Sequence, residues 1–151
     1  MKKYLLPIVK LYWKVFRPRT SGVKVVIVNP LKADEFLIVR HSYGNQKMWN
    51  LPGGGYRLRR ENAIQAATRE VREELHISLV ESRIVGEHYT ELQGKRDTVT
   101  IIRGRVLNLA ALQKSDEVVE FAWISEQEAL ERADLAAIVK VAAGMAMDSR
   151  S

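Results

Sequence analysis

The sequence predicts a domain of mixed α+β or α/β class built on a mixed β-sheet. Three observations carry that expectation. Runs rich in β-branched residues recur along the chain, as at Val23 to Val28 (VKVVIV) and Glu35 to Arg40 (EFLIVR). One strongly amphipathic helical segment, Asn62 to Leu75, separates them from later extended segments. The 151 residues hold no internal repeat and no low-complexity tract, which fits a single domain, 1–151, with its own core.

The first segment, MKKYLLPIVKLYWKVFRPR, reads as a short amphipathic helical extension over residues 1–19. Lys10 and Lys14 interrupt its apolar run and no small-residue cleavage site follows, against a signal peptide. It also falls short of the roughly 18 apolar residues that a membrane-spanning helix needs. A peripheral membrane or partner contact is the lesser alternative. Arg17 to Gly22 breaks this segment, and Val23 to Val28 follows as a strand. Asn29-Pro30 begins a turn, which makes Glu35 to Arg40 the expected hairpin partner of that strand. Met48 to Leu51 is a brief extended piece, stopped by Pro52 and three glycines.

In the central helix Asn62 is the expected N-cap, with Gln65 completing a capping box. Ile64, Ala67, Val71 and Leu75 form its apolar stripe. Extended segments follow near Ile77 to Tyr89, Thr98 to Leu107 and Val118 to Trp123, with a turn at Gln93-Gly94-Lys95 between the first two. Ser125 caps a short helix through Glu131, and Asp134 to Met147 is a last Ala-rich helix.

Composition narrows the function classes. Hydrophobic residues make up 46% and charged residues 28%, the balance of a soluble globular protein. A formal charge of +6 favours an anionic partner: phosphate, nucleic acid or a membrane surface. There are no cysteines, so disulfides, thiolate metal sites and cysteine nucleophiles are excluded. A cytoplasmic location is the expectation that fits.

The chemistry concentrates in Arg69-Glu70-Val71-Arg72-Glu73-Glu74. Glu70, Glu73 and Glu74 fall within an arc of roughly 100° on a helix. Clustered carboxylates repel, and a hard divalent cation relieves the repulsion. Ordinary ion pairs with Arg69 and Arg72 are the plainer alternative, each stabilising by about 0.3–0.5 kcal/mol. The loop Gly53-Gly54-Gly55 leads into this helix, and its backbone N–H groups favour anions.

The run from Gly55 through five residues to Glu61, then seven to Arg69-Glu70-Val71-Arg72-Glu73-Glu74-Leu75-His76-Ile77, resembles the Nudix box. That box reads G-x5-E-x7-R-E-U-x-E-E-x-G-U, with U aliphatic. Trp49-Asn50-Leu51-Pro52-Gly53-Gly54 resembles the family's W-x-L-P-G-G lead-in. There are two departures. His76 stands where the family has Gly, at a position that normally takes a left-handed cap. Tyr56 to Arg60 replaces the usual acidic stretch at the entrance to the site.

The resemblance implies an α/β/α sandwich and a Mg²⁺- or Mn²⁺-dependent pyrophosphohydrolase. Its substrate would be a small nucleoside diphosphate linked to another moiety, such as an NTP, an NDP-sugar or ADP-ribose. Glu70 and Glu74 are then the expected metal ligands, with Glu73 assisting and a backbone carbonyl from Gly54 or Gly55. Glu61 and Arg69 become an orienting ion pair. The general base comes from Glu70 or Glu73, or from Glu117 or Glu120 outside the box, where an extra metal ligand can also lie. Arg40, Arg57, Arg59 and Arg60 are candidate phosphate contacts. Tyr43 and Trp49 are candidates for base stacking, with core packing the plainer reading of Trp49, whereas His41 and His88 lack metal-ligand spacing with another histidine and read as loop or strand residues. The family also makes a homodimer an expectation. Two alternatives stand beside this reading: a catalytically weak nucleotide- or RNA-binding module, and an RNA 5′-end pyrophosphohydrolase.

Overall fold

Every second side chain of a strand shares a face, and a strand buried on both faces is apolar throughout. The run from Val23 is such a strand. In the computed structural model, which describes residues 19–56, 59–92 and 95–147, it lies within β1 (Arg19–Ile27). Val23, Val25 and Ile27 enter one core cluster and Val26 the other, all fully buried. Residues 1–18 lie outside the described residues, and with them the expected helical extension; Arg19 already belongs to β1.

Five further strands follow: β2 (Glu35–His41), β3 (Gly53–Gly55), β4 (Leu79–Leu92), β5 (Lys95–Val106) and β6 (Val118–Ser125). The helices are α1 (Ala63–Leu75), α2 (Glu126–Glu131) and α3 (Ala137–Met147). A four-stranded sheet has the order β3-β1-β5-β4. Within it β1 runs antiparallel to β3 and parallel to β5, so the sheet is mixed. A second, two-stranded antiparallel sheet pairs β2 with β6. Helix α1 packs Ala66, Ala67, Val71 and Leu75 into one cluster, and α3 packs Val139, Ala142 and Ala146 into the other. The layering is α/β/α, as expected.

Two expectations need correction. β1 and β2 do not form a hairpin. Only the bridge Val28↔Phe36 and the bond from Asn29 N–H to Glu35 O join them. Each strand has two edges, and those of β1 are taken by β3 and β5. β2 instead pairs with β6, from Glu35↔Ser125 to Arg40↔Glu120. The last helix begins at Ala137, not at Asp134. Residues 134–136 are held as an extended clip on Trp49, whose N–H donates to Asp134 O while Ala136 N–H donates to Trp49 O. Gln93 and Gly94 of the expected turn lie outside the described residues.

The capping signals hold in the structure. Asn62 and Gln65 form both bonds of the capping box on α1, and Ser125 and Glu128 do the same on α2. His76 ends α1 in the left-handed region (φ 61°), its N–H donating to Arg72 O. A side chain there crowds its own backbone. His76→Gly is therefore expected to stabilise the fold by about 0.5–1 kcal/mol, raising Tm by a few degrees in thermal denaturation; an unchanged or lower Tm would show that the imidazole makes good the strain.

Candidate active site

The two box carboxylates Glu70 and Glu74, four residues apart on α1, sit one above the other. Both are buried, at 3% and 0% exposure, on the flank of the stripe that packs α1 on the sheet. Glu73, one hundred degrees further round, is half exposed and lies 3.4 Å from Arg69. The helix therefore turns two carboxylates inward and one outward, rather than aiming all three together.

The glycine strand makes room for them. Gly53 adopts φ 139°, where a Cβ would run into the carbonyl of Val23. A Cβ on Gly54 would come within 2.9 Å of Glu70 Oε1. Backbone and carboxylate can approach so closely only because both residues lack side chains. Gly53 N–H donates to Glu74 Oε1 at 2.8 Å. Gly55, set among the expected ligands, is exposed and neighbours Ser21 O.

Glu74 has a second partner that sequence reasoning passed over. His41 Nε2 lies 2.6 Å from Glu74 Oε2, with the ring only 6% exposed. Period-two alternation could have found it: Leu37, Val39 and His41 share the face of β2 that looks toward α1. At the same end of β2 the register with β6 shifts between Arg40 and His41. Ser42 N–H then donates to Glu117 O, which draws the residue before β6 toward the helix.

Glu70, Glu74 and Glu117 consequently converge, each offering an oxygen within 4.8 Å of the others. Tyr43 stands beside them. Burial, followed by the charges of Glu74, Glu117 and Glu70, pushes its phenol far above the ordinary tyrosine range, so it stays neutral. The donor set is carboxylate oxygen throughout, which fits a hard divalent cation such as Mg²⁺ or Mn²⁺ and not a soft one.

Arg69 ties this cluster to the loop before α1. Its guanidinium donates to both oxygens of Glu61, at 2.6 and 3.1 Å, and to Glu70 Oε1 at 2.9 Å. The bond to Arg69 holds the Glu61 carboxyl below its ordinary range, and the same pairing raises Arg69. The other candidates separate. Glu120 is held by Arg40, Nε to Oε1 at 2.7 Å. Arg40 also donates to Gln46 O and lies 5.7 Å from the Trp49 ring, so its guanidinium is engaged within the protein. Trp49 is partly buried between Arg40 and Arg132 and packs on the core beneath α3. Arg59 and Arg60 are exposed, and Arg57 lies outside the described residues.

Residues 18–142 match the family model of the NUDIX domain. The chain belongs to the Nudix family. Its class is that of the family, a hydrolase of pyrophosphate bonds. Among solved structures it is similar to the MutT protein from Methanosarcina mazei Go1, with 29% identity and a TM-score of 0.71 over 83% of this chain and 91% of that one. It shares its fold with the E. coli ORF135 protein, at 23% identity and a TM-score of 0.71, over 91% of this chain and 94% of that one. The same holds for a C. elegans Ap4A hydrolase, at 24% identity and a TM-score of 0.65, over 85% and 96%. No curated protein matches the sequence. No helix among the described residues is long and apolar enough to cross a membrane.

The Glu61–Arg69 pair carries a pH signature. A carboxyl lowered in the folded state stabilises it above the ordinary value of 4.5, and that contribution is lost as pH falls through the folded value. The pair is partly solvated, so E61Q is expected to cost about 1 kcal/mol at pH 7. In urea unfolding the gap between wild type and variant should narrow below pH 4.5; a gap constant down to acid would contradict the pairing.

Proposed function

We propose that this Nudix chain is a Mg²⁺- or Mn²⁺-dependent hydrolase of small nucleoside diphosphates linked to another moiety, releasing a nucleotide and a phosphorylated remainder. The observation that carries this is the convergence of Glu70, Glu74 and Glu117 beside the glycine strand. These three hold the cation, Glu117 being the extra ligand from outside the box. The cation, when bound, neutralises the diphosphate, orients it and makes water a better nucleophile.

The chain's own groups set the geometry. Gly53 N–H and His41 fix both oxygens of Glu74, so its carboxylate cannot rotate away. Arg69 holds Glu70 from one side and locks the preceding loop through Glu61. Tyr43, as a neutral phenol, adds no charge to an already acidic centre. The proton of the attacking water passes to Glu70 or Glu117, the base candidates that stand in the cluster. Glu73 and Glu120 each lie against an arginine away from it.

A panel of NTPs, NDP-sugars, ADP-ribose, dinucleoside polyphosphates and 5′-triphosphorylated RNA, assayed with and without Mg²⁺, tests the reading. Metal-dependent release of phosphorylated product from a small substrate is expected. No release from any of them by folded protein would overturn it, and release from RNA alone would favour an RNA-end activity. In the same assay E74Q and E117Q should lose at least about 100-fold in turnover, and H41A about 10–100-fold with weaker Mn²⁺ binding that H41Q partly restores. E120Q should stay within a few-fold of wild type; equal losses for E117Q and E120Q would place the third ligand wrongly.

A further inference from the structure

Next to the acidic cluster lies a cavity of about 330 Å³. It is lined by His41, which bonds Glu74, and by Tyr43, which faces all three carboxylates, so it adjoins the place where a pyrophosphate would sit. Its walls are largely apolar: the Tyr43 ring, tilted 36° against the His41 ring at 4.8 Å, the Met48 side chain and the Ala136 methyl. Flat apolar walls of this kind accept a heteroaromatic ring.

The polar groups of the lining are Lys24, Asn45 and Asn50. An asparagine amide ordinarily offers both a donor and an acceptor, and its orientation is ambiguous. Here the backbone resolves it. Asn50 Oδ1 accepts from Leu51 N–H at 2.8 Å, and Asn45 Oδ1 accepts from Lys47 N–H at 3.2 Å. A backbone N–H can only donate, so the atom facing it is oxygen in both residues. Both side chains therefore turn an NH₂ group away from their own backbone. Lys24, which donates to Leu51 O, can only donate. Among the described residues no carboxylate lines the cavity.

We infer that this cavity is a nucleobase subsite that selects bases carrying two adjacent hydrogen-bond acceptors, read by the amide donors of Asn50 and Asn45 and the ammonium of Lys24. The inference rests on the hydrolase reading of the neighbouring cluster and names the part of the substrate that sets its choice. Guanine presents O6 beside N7, and cytosine presents O2 beside N3. Adenine sets an amino donor beside N1 and N7, and uracil separates its two carbonyls by N3–H. A donor facing a donor leaves both unsatisfied once water is excluded. Adenine and uracil are therefore disfavoured.

Nucleoside 5′-monophosphates are the nucleotide products of the proposed reaction and contain no pyrophosphate to cleave. Titration of the full chain with GMP, CMP, AMP and UMP in Mg²⁺ therefore reads the subsite without turnover. GMP and CMP should bind at least about tenfold tighter than AMP and UMP. The ¹⁵N–¹H₂ resonance of the Asn50 side chain, assigned by its loss in N50D, should move with GMP and CMP. Asn50→Asp keeps the oxygen that accepts from Leu51 N–H and replaces the donor by an acceptor, so it should erase the preference. Four equal affinities, no binding at all, an unmoved Asn50 amide or an unchanged ranking in folded N50D would each overturn the inference. Substrate turnover without base preference would sink the subsite alone. Selective binding of GMP and CMP by a chain that cleaves nothing would leave the subsite standing and sink the hydrolase reading.

Discussion

The arrangement turns on two carboxylates buried beside a strand of glycines. Taking Glu70 and Glu74 out of water is costly unless charge or hydrogen bonds compensate. The surrounding structure supplies those compensations one by one. Gly53 brings a backbone N–H to Glu74, His41 reaches it from the adjacent sheet, and Arg69 reaches Glu70 from the solvent side. Each needs a particular placement: β3 on the free edge of β1, β2 beside β6, and α1 across both. The layer order thus serves a local electrostatic requirement as well as core burial.

A third carboxylate sharpens the requirement. Glu117 sits before β6 and is brought in by the pairing of β6 with β2, where the register shifts beside His41. Three like charges this close are unfavourable without a cation. A positive charge placed among the three carboxylates therefore gains more than it would beside any one of them.

Much of this was legible in the chain. The box motif brings Glu61 to Arg69 and Glu70 to Glu74 because i, i+4 spacing and capping are local properties, and α1 obeys its caps to the residue. Which carboxylates face inward was less legible, since Glu73 and Glu74 are adjacent in sequence and only packing of α1 decides between them. Glu117 and Glu120 were equivalent in sequence, and the register of β6 against β2 separates them: one meets the cluster, the other meets Arg40. That register is a non-local pairing, as is the swap of β2 from β1 to β6. His41 carries no local signal for this role, because its partner lies 33 positions away across the fold.

The central claim is that Glu70, Glu74 and Glu117 together form a divalent-cation site. A crystal structure of the chain grown with Mn²⁺, with the ion located by anomalous scattering, tests it most directly. The account places manganese between these three carboxylates, with His41 still bonded to Glu74. Manganese seated instead at Glu73 or Glu120, or a cluster that stays empty at saturating Mn²⁺, would contradict it.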